Sequence, residues 1–105
     1  MHVMGVSYKR DIDDVRESPA LDIVHLLGRR GAAVSYSDPF VSQIHTDGIE
    51  MQAIDADAAI RDADCVVIVT DHKKFDYAKL VKNARLIVDT RNALKGIQSD
   101  KIVRL

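Results

Sequence analysis

The sequence predicts an α/β fold, a doubly wound, mainly parallel sheet of five or six strands with helices on both faces. Three observations lead to this class. Apolar runs alternate with amphipathic stretches in the order β-α-β-β-α-β-α-β-β. Residues 65–69 are apolar throughout and lie between helical patterns, which indicates a strand buried on both faces. With 105 residues and 47% apolar content, the chain has room for a single domain, residues 1–105, with one core.

The first strand and the first helix are predicted at residues 2–7 and 19–30. Ser18 is a favourable N-cap, and Pro19 suits the first helical position, where a backbone N–H is not needed. Gly31 follows as a common helix terminator. The buried face of this helix combines apolar residues spaced by three and four with two leucines that widen the stripe: Ala20, Leu21, Ile23, Val24, Leu26 and Leu27.

The rest of the chain adds further strands and two short helices. A second strand at 33–36 stops at Asp38-Pro39, because proline cannot donate to a strand ladder. A polar, irregular connection through His45 and Gly48 leads to a short strand at 49–54. Helices at 55–63 and 76–83 flank the strand at 65–69, and strands at 86–88 and 101–105 follow, the last at an edge of the sheet.

Composition excludes several classes of function. Fifteen Lys and Arg against sixteen Asp and Glu give a net charge of −1, which argues against general binding to nucleic acid or other polyanions. The single Cys65 reads as a small buried hydrophobe. No apolar run approaches the roughly 18 residues of a membrane span, and no secretory signal is visible, so we infer a soluble cytoplasmic protein. The four histidines are His2, His25, His45 and His72. Their spacing is not that of metal ligands, so no metal site is predicted.

Charged residues follow the predicted parallel strands, whose carboxyl ends share one edge of the sheet, where ligands bind in such folds. The clusters are Tyr8-Lys9-Arg10, Asp38-Pro39, Thr70-Asp71-His72 and Asp89-Thr90-Arg91-Asn92. Lys9 and Arg91 are the cations best placed to meet, and together they suit a diphosphate or nucleotide. Tyr8 could stack on a base or form a hydrogen bond through its hydroxyl. The alternative, that Lys9 and Arg91 only pair with nearby aspartates, remains open.

Two further features bear on this edge. Arg16 lies near the positive end of the first helix, so we expect it to be held by Asp13 or Asp14 or to reach an anion. His72 is treated as a loop residue with a low chance of contacting ligand. No Gly-x-Gly-x-x-Gly follows the first strand, so this domain is not expected to bind a dinucleotide by itself in the usual manner.

Several motifs occur in order over about residues 3–95: Gly5-Val-Ser-Tyr8-Lys9, Asp13-Asp14-Val-Arg16-Glu17-Ser18-Pro19, Gly31-Ala-x-Val-x-Tyr-x-Asp38-Pro39, Val69-Thr-Asp71-His72 and Val88-Asp-Thr-Arg91. Together they resemble the C-terminal, UDP-binding domain of the UDP-glucose/GDP-mannose dehydrogenase family, which has a Rossmann-like fold.

The resemblance implies that this chain is part of a larger enzyme. Such an enzyme oxidises the sugar C6 hydroxyl of a UDP-sugar to a carboxylate in two NAD-dependent steps, through a cysteine-linked thioester. The resemblance implies that Tyr8, Lys9 and Arg91 contact the nucleotide sugar and that Arg16 reaches toward NAD. The substrate it favours is a UDP-N-acetylhexosamine, with UDP-glucose close behind. It also implies a homodimer for the full-length protein.

The family's NAD-binding domain, central dimerisation segment and glycine-rich cysteine loop have no counterpart in this sequence. We therefore expect a C-terminal fragment that is inactive alone and carries no catalytic residue, Cys65 not being the nucleophile. Two alternatives stay open. A receiver-type signalling domain would need an acidic pair after the first strand and a lysine after a late one, where Tyr8-Lys9 and Arg91 stand. The other alternative is a free-standing nucleotide-binding module.

Overall fold

The elements of the fold come from a computed structural model that describes residues 1–7, 18–46 and 48–105. In chain order they are β1 (His2–Met4), α1 (Pro19–Arg29), β2 (Ser35–Ser37), β3 (Gln43–Thr46), β4 (Ile49–Gln52), α2 (Ala56–Asp62), β5 (Val66–Ile68), α3 (Tyr77–Asn83), β6 (Ile87–Asp89) and β7 (Ile102–Arg104). Among the described residues, no helix is both long enough and apolar enough to cross a bilayer.

The main sheet has five parallel strands in the order β2-β1-β5-β6-β7. The parallel doubly wound sheet predicted from the sequence is confirmed, and β7 is the edge strand expected near the end of the chain. The strand order reverses between β1 and β5, because the chain passes from β1 to one side and later returns to the other. Crevices at such reversals, outside the carboxyl ends of the strands, are the usual ligand sites of these folds.

Helices cover both faces of the sheet, as predicted. Successive strand residues point to opposite faces, so Val3 packs with α1 while Met4 packs with α2 and α3. The face toward α1 contains Leu21, Val24, Tyr36, Val67 and Val69, and the other contains Ile60, Val66, Ile68, Leu80 and Ile87. Burying each of these large apolar side chains contributes roughly 1.5–3 kcal/mol, which explains why the central strand β5 is apolar on both faces.

The first helix begins and ends where its capping residues predict. The Ser18 hydroxyl accepts a hydrogen bond from Ala20 N, Pro19 is the first helical residue, and Gly31 follows with φ +82°. One part of the prediction is wrong, because Leu26 is 55% exposed and does not widen the buried face. Leu26 follows Val24 by two residues, which is about 200° around a helix and places it opposite the core.

The connection after β2 contains a β-hairpin that was not predicted from the sequence. Strand β3 pairs with β4 in a separate antiparallel sheet, in which His45 lies opposite Glu50 and its Nδ1 is 3.2 Å from the Glu50 carboxylate. The strand predicted at 49–54 is confirmed as β4, although it lies outside the main sheet. The irregular connection predicted through His45 is wrong, because His45 lies in β3. Ile44 and Ile49 are buried, but Ile44 is the one apolar residue among the four of β3, so the strand shows no alternation that could be recognised.

The two short helices begin at aspartates. Asp55 accepts a hydrogen bond from Ala58 N at 3.4 Å, and Asp76 accepts one from Lys79 N at 3.1 Å, so the predicted cap at Asp76 is confirmed. Lys79 also lies 2.7 Å from Asp57, which links the two helices across the surface. Cys65, just before β5, is buried as predicted.

Candidate functional site

Residues from four neighbouring strand ends meet at the carboxyl edge of the main sheet. Thr70, after β5, donates a hydrogen bond from its hydroxyl to the carbonyl of Ser7, after β1, at 2.7 Å. Thr90, after β6, donates in the same way to the carbonyl of Ile68 at 2.7 Å. The carboxylate of Asp38, after β2, lies 2.8 Å from Nε2 of His72, after β5. The predicted convergence is therefore confirmed for the segments after β2, β5 and β6 and for Ser7 at the end of β1. The segment Tyr8-Lys9-Arg10 lies outside the described residues.

Both carboxylate oxygens of Asp38 accept hydrogen bonds at this edge. Both the Asp38 and His72 side chains are inaccessible to solvent. One carboxylate oxygen, Oδ2, faces the end of β1 and His72, while Oδ1 faces the turn that follows β2. The donors are Val6 N (2.8 Å), Ser7 N (3.4 Å) and His72 Nε2 (2.8 Å) on Oδ2, and Phe40 N (2.8 Å) and Val41 N (3.2 Å) on Oδ1. A buried carboxylate is stable only when its lone pairs are used in this way.

His72 lies in the loop after β5 at the predicted edge, and its side chain is wholly buried. Its Nε2 contacts Asp38 and also lies 3.1 Å from Ser7 Oγ. Because a carboxylate only accepts hydrogen bonds, Nε2 carries a proton and donates it toward Asp38. The ring is packed between Phe40 and Phe75, with ring centroids 5.0 and 5.5 Å away. These contacts leave the imidazole a single orientation.

The carbonyl of Ser7 is a second meeting point. It accepts hydrogen bonds from Thr70 and, at 3.4 Å, from the hydroxyl of Ser18. The residues on either side of the 8–17 segment are therefore held together. Tyr8, Lys9 and Arg16, together with the acidic residues around Arg16, lie outside the described residues, and their predicted roles stay predictions.

Arg91 lies at this edge as predicted, with 41% of its side chain exposed. Its Nε is 3.8 Å from an Asp71 carboxylate oxygen, and Asp71 is only 11% exposed. This is the pairing with a nearby aspartate that the sequence left open. An arginine has five N–H donors, so contact through Nε still allows the two terminal nitrogens to bind an anion.

Asp89 holds the backbone on which Arg91 sits. Its side chain is buried at the end of β6, and Oδ1 accepts hydrogen bonds from Arg91 N at 3.0 Å and Ala93 N at 3.1 Å. Oδ2 accepts from Leu94 N at 2.9 Å. Asn92 in this turn has φ +58°, a left-handed conformation that asparagine tolerates. Asp89 was predicted at the edge, but without this role.

The roles of Asp38 and His72 were not predicted from the sequence either. Both belong to the edge clusters named above, but 34 positions separate them, and no local spacing connects them. The available signal was the position of each at the end of a predicted parallel strand, which indicates proximity and not pairing.

Comparison with known proteins gives the same assignment for most of the chain. A family model described as the UDP-glucose/GDP-mannose dehydrogenase family, UDP binding domain, matches residues 2–96. The UDP-N-acetyl-D-mannosamine dehydrogenase of Methanococcus vannielii is 33% identical over 101 residues, which are 88% of this chain and 22% of that protein. The UDP-glucose 6-dehydrogenase TuaD of Bacillus subtilis is 36% identical over 99 residues, 86% of this chain and 21% of that protein.

A solved structure agrees with this relationship. The structure of a UDP-D-ManNAc dehydrogenase from Pyrococcus horikoshii aligns with 98% of this chain and 24% of its own, with a TM-score of 0.73 and 28% identity. The chain thus spans 21–24% of the length of these relatives. Matching motifs, sequence profile and fold together show that the chain belongs to the UDP-glucose/GDP-mannose dehydrogenase family, as its UDP binding domain.

Proposed function

We propose that this chain binds the nucleotide part of a UDP-sugar for an NAD-dependent nucleotide-sugar 6-dehydrogenase, which oxidises the sugar C6 hydroxyl to a carboxylate in two steps. Arg91 carries the proposal. Its guanidinium is partly exposed in the turn after β6, the strand beside β5, at the edge of the sheet where ligands of such folds bind, and its backbone is held by buried Asp89. Arginine binds phosphate oxygens through paired N–H groups, which suits a diphosphate.

Tyr8 and Lys9 complete the proposed site. They follow Ser7 directly in the chain, and the backbone of Ser7 is held by Asp38 and Thr70 at the same edge. A lysine supplies a point charge for phosphate, and a tyrosine supplies an aromatic face for the base. We therefore assign Tyr8, Lys9 and Arg91 to the nucleotide sugar.

The described residues do not form a dinucleotide cradle at the end of β1. In dinucleotide-binding folds, the backbone N–H groups after the first strand donate to the pyrophosphate. Here the N–H groups of Val6 and Ser7 donate to the Asp38 carboxylate, whose negative charge would also repel phosphate at that point. NAD, which supplies the hydride acceptor for such oxidations, is therefore assigned mainly to parts of a longer protein, and Arg16 is the one residue of this chain that we assign to it.

The remaining features of the whole protein are proposed from the names of its relatives and from the family resemblance. Several of them are named UDP-N-acetyl-D-mannosamine dehydrogenase, which supports a UDP-N-acetylhexosamine as the substrate, with UDP-glucose as the alternative. The nucleophilic cysteine is expected outside these 105 residues, since Cys65 is buried beside β5. The chain alone is therefore proposed to bind and not to catalyse, and the full-length protein to act as a homodimer.

Titration of the chain with UDP, followed by calorimetry, tests this function. UDP should bind more tightly than UMP, and Arg91→Ala or Lys9→Ala should weaken UDP binding about tenfold, since each removes a charge-assisted contact. Arg85→Ala is the matched control. Arg85 lies just before β6, whereas Arg91 lies just after it. The exposed side chain of Arg85 contacts Asp64 at the opposite edge of the sheet. Absence of UDP binding, or equal weakening by Arg85→Ala, would reject the proposed site.

A further inference from the structure

The Asp38–His72 contact bridges three strands at the reversal of the sheet. Strand β1 lies between β2 and β5, and the side chains of Asp38 and His72 meet across its end. Between them they contact Val6 N, Ser7 N and Ser7 Oγ. Both side chains are fully shielded from water. The point where the chain leaves β1 is thus held from both sides by directed hydrogen bonds.

The same pair is connected to Arg91 by a short path. His72 follows Asp71 directly, and Asp71 is the carboxylate that lies 3.8 Å from Arg91 Nε. Asp89, at the next strand end, holds the Arg91 backbone but does not orient its guanidinium. A displacement of the 70–72 turn would therefore move the carboxylate that faces Arg91. It would at the same time release Ser7, after which Tyr8 and Lys9 follow.

Stability alone is a weak reason for a buried polar pair. Taking such groups out of water costs several kcal/mol, and well-packed apolar residues of similar volume often serve a fold as well. Directed hydrogen bonds add something that apolar packing does not, a unique position for the groups they join. Here the joined groups are the exit of β1 and the turn that carries Asp71.

We propose that Asp38 and His72 are positioning residues for the diphosphate of the UDP-sugar, because they hold the Ser7 backbone and the Asp71–Arg91 contact in one arrangement. The inference rests on the proposed function and extends it to two residues that do not touch the ligand. The essential contact is the hydrogen bond from His72 Nε2 to Asp38 Oδ2.

Two amide substitutions of His72 test this role. The amide nitrogen of His72→Gln can reach the place of Nε2 and donate to Asp38, whereas the shorter His72→Asn leaves its amide near the place of Nδ1. We expect UDP affinity to fall about tenfold in His72→Asn and to stay within about threefold of wild type in His72→Gln, since small displacements of binding groups are costly.

His2→Asn is the control for loss of a buried histidine. His2 is also fully buried in β1 and hydrogen-bonded through both ring nitrogens, to Ser35 and Ser37, but it contacts neither Ser7 nor the 70–72 turn in the described structure. UDP affinity of His2→Asn should stay within about twofold of wild type at a temperature where all variants are folded. The NMR signals of Ser7 N–H and Arg91 Nε–H, without ligand, should shift in His72→Asn and not in His2→Asn.

Equal UDP affinity in His72→Asn and wild type would overturn the inference and leave the proposed function standing. So would equal weakening by His72→Asn and His72→Gln, or by His2→Asn, because general destabilisation would then explain the loss. If the wild-type chain itself does not bind UDP, the proposed function is rejected and the inference with it.

Discussion

Gly5 lies directly against Thr70, where β1 and β5 end beside each other. A Cβ atom on Gly5 would be 2.5 Å from both the carbonyl oxygen and the Cβ of Thr70, and Gly5 has φ +85°. Its N–H donates to the carbonyl of Ser37 at 2.9 Å on the other side. The approach of these strand ends therefore depends on the absence of a side chain at this position.

We expect Gly5→Ala to lower the free energy of unfolding by about 3 kcal/mol or more, because it adds a steric overlap to a strained φ. The matched control is Gly31→Ala. Gly31 has φ +82°, but a Cβ atom on it would meet nothing within 4 Å, so only the φ strain of about 1 kcal/mol applies. Urea unfolding of the three proteins measures the difference, and equal losses in the two variants would contradict the close approach.

His2 should make the fold sensitive to acid. Burial lowers the pKa of His2 from 6.5 to about 4, with a smaller contribution from the positive N-terminal amine. Because the folded pKa lies below the unfolded one, the unfolded chain takes up the proton first as the pH falls. The stability linked to His2 is therefore fully present above pH 6.5, decreases below it, and is lost by about pH 4, for a total of about 3 kcal/mol.

Urea unfolding of wild type and His2→Asn between about pH 7.5 and about pH 4, a range that spans the two pKa values, checks this prediction. The stability difference between the two proteins should shrink as the pH falls. His45→Asn is the control, because the His45 side chain is 78% exposed. A pH-independent difference for His2→Asn would show that His2 is protonated to the same extent in the folded and unfolded chain.

Cys65 should be inert in the folded chain. Its thiol is buried, and burial raises the pKa of Cys65 above the usual 9.0. Because the thiolate is the reactive form, a disulfide reagent such as dithiobis(nitrobenzoate) should modify Cys65 only as fast as the chain opens. The control variant carries Cys65→Ser and Ser42→Cys, which moves the thiol to an exposed position before β3. If the folded wild-type chain and the folded control variant reacted at equal rates, the burial of Cys65 would be contradicted.

Arg16 should affect the cofactor more than the sugar. In a full-length protein that contains this chain, we expect Arg16→Ala to raise the KM for NAD about tenfold and to change the KM for the UDP-sugar little, because its proposed partner is the cofactor's pyrophosphate. Arg91→Ala should give the opposite pattern. Steady-state kinetics with each substrate varied in turn separates the two residues, and identical patterns would remove the assignment of Arg16 to NAD.

Most of the fold was predictable from local patterns. The apolar run at 65–69, the capping residues Ser18 and Asp76, and the terminator Gly31 report the environment of single elements, and each is confirmed. Strand β4 was predicted, but β3 and its pairing with β4 were not, since β3 has one apolar residue among four and shows no recognisable alternation. Leu26 was misplaced because an apolar residue type was taken as evidence of burial.

The sequence by itself determined the class of fold, the family, and the edge of the sheet where Arg91 lies, since all three follow from patterns within short segments. Only the tertiary structure decided that Asp38 meets His72, that Asp71 faces Arg91, and that Gly5 lies against Thr70. These contacts depend on β1 lying between β2 and β5. The lateral order of strands is set by packing over the whole sheet, and no spacing along the chain encodes it.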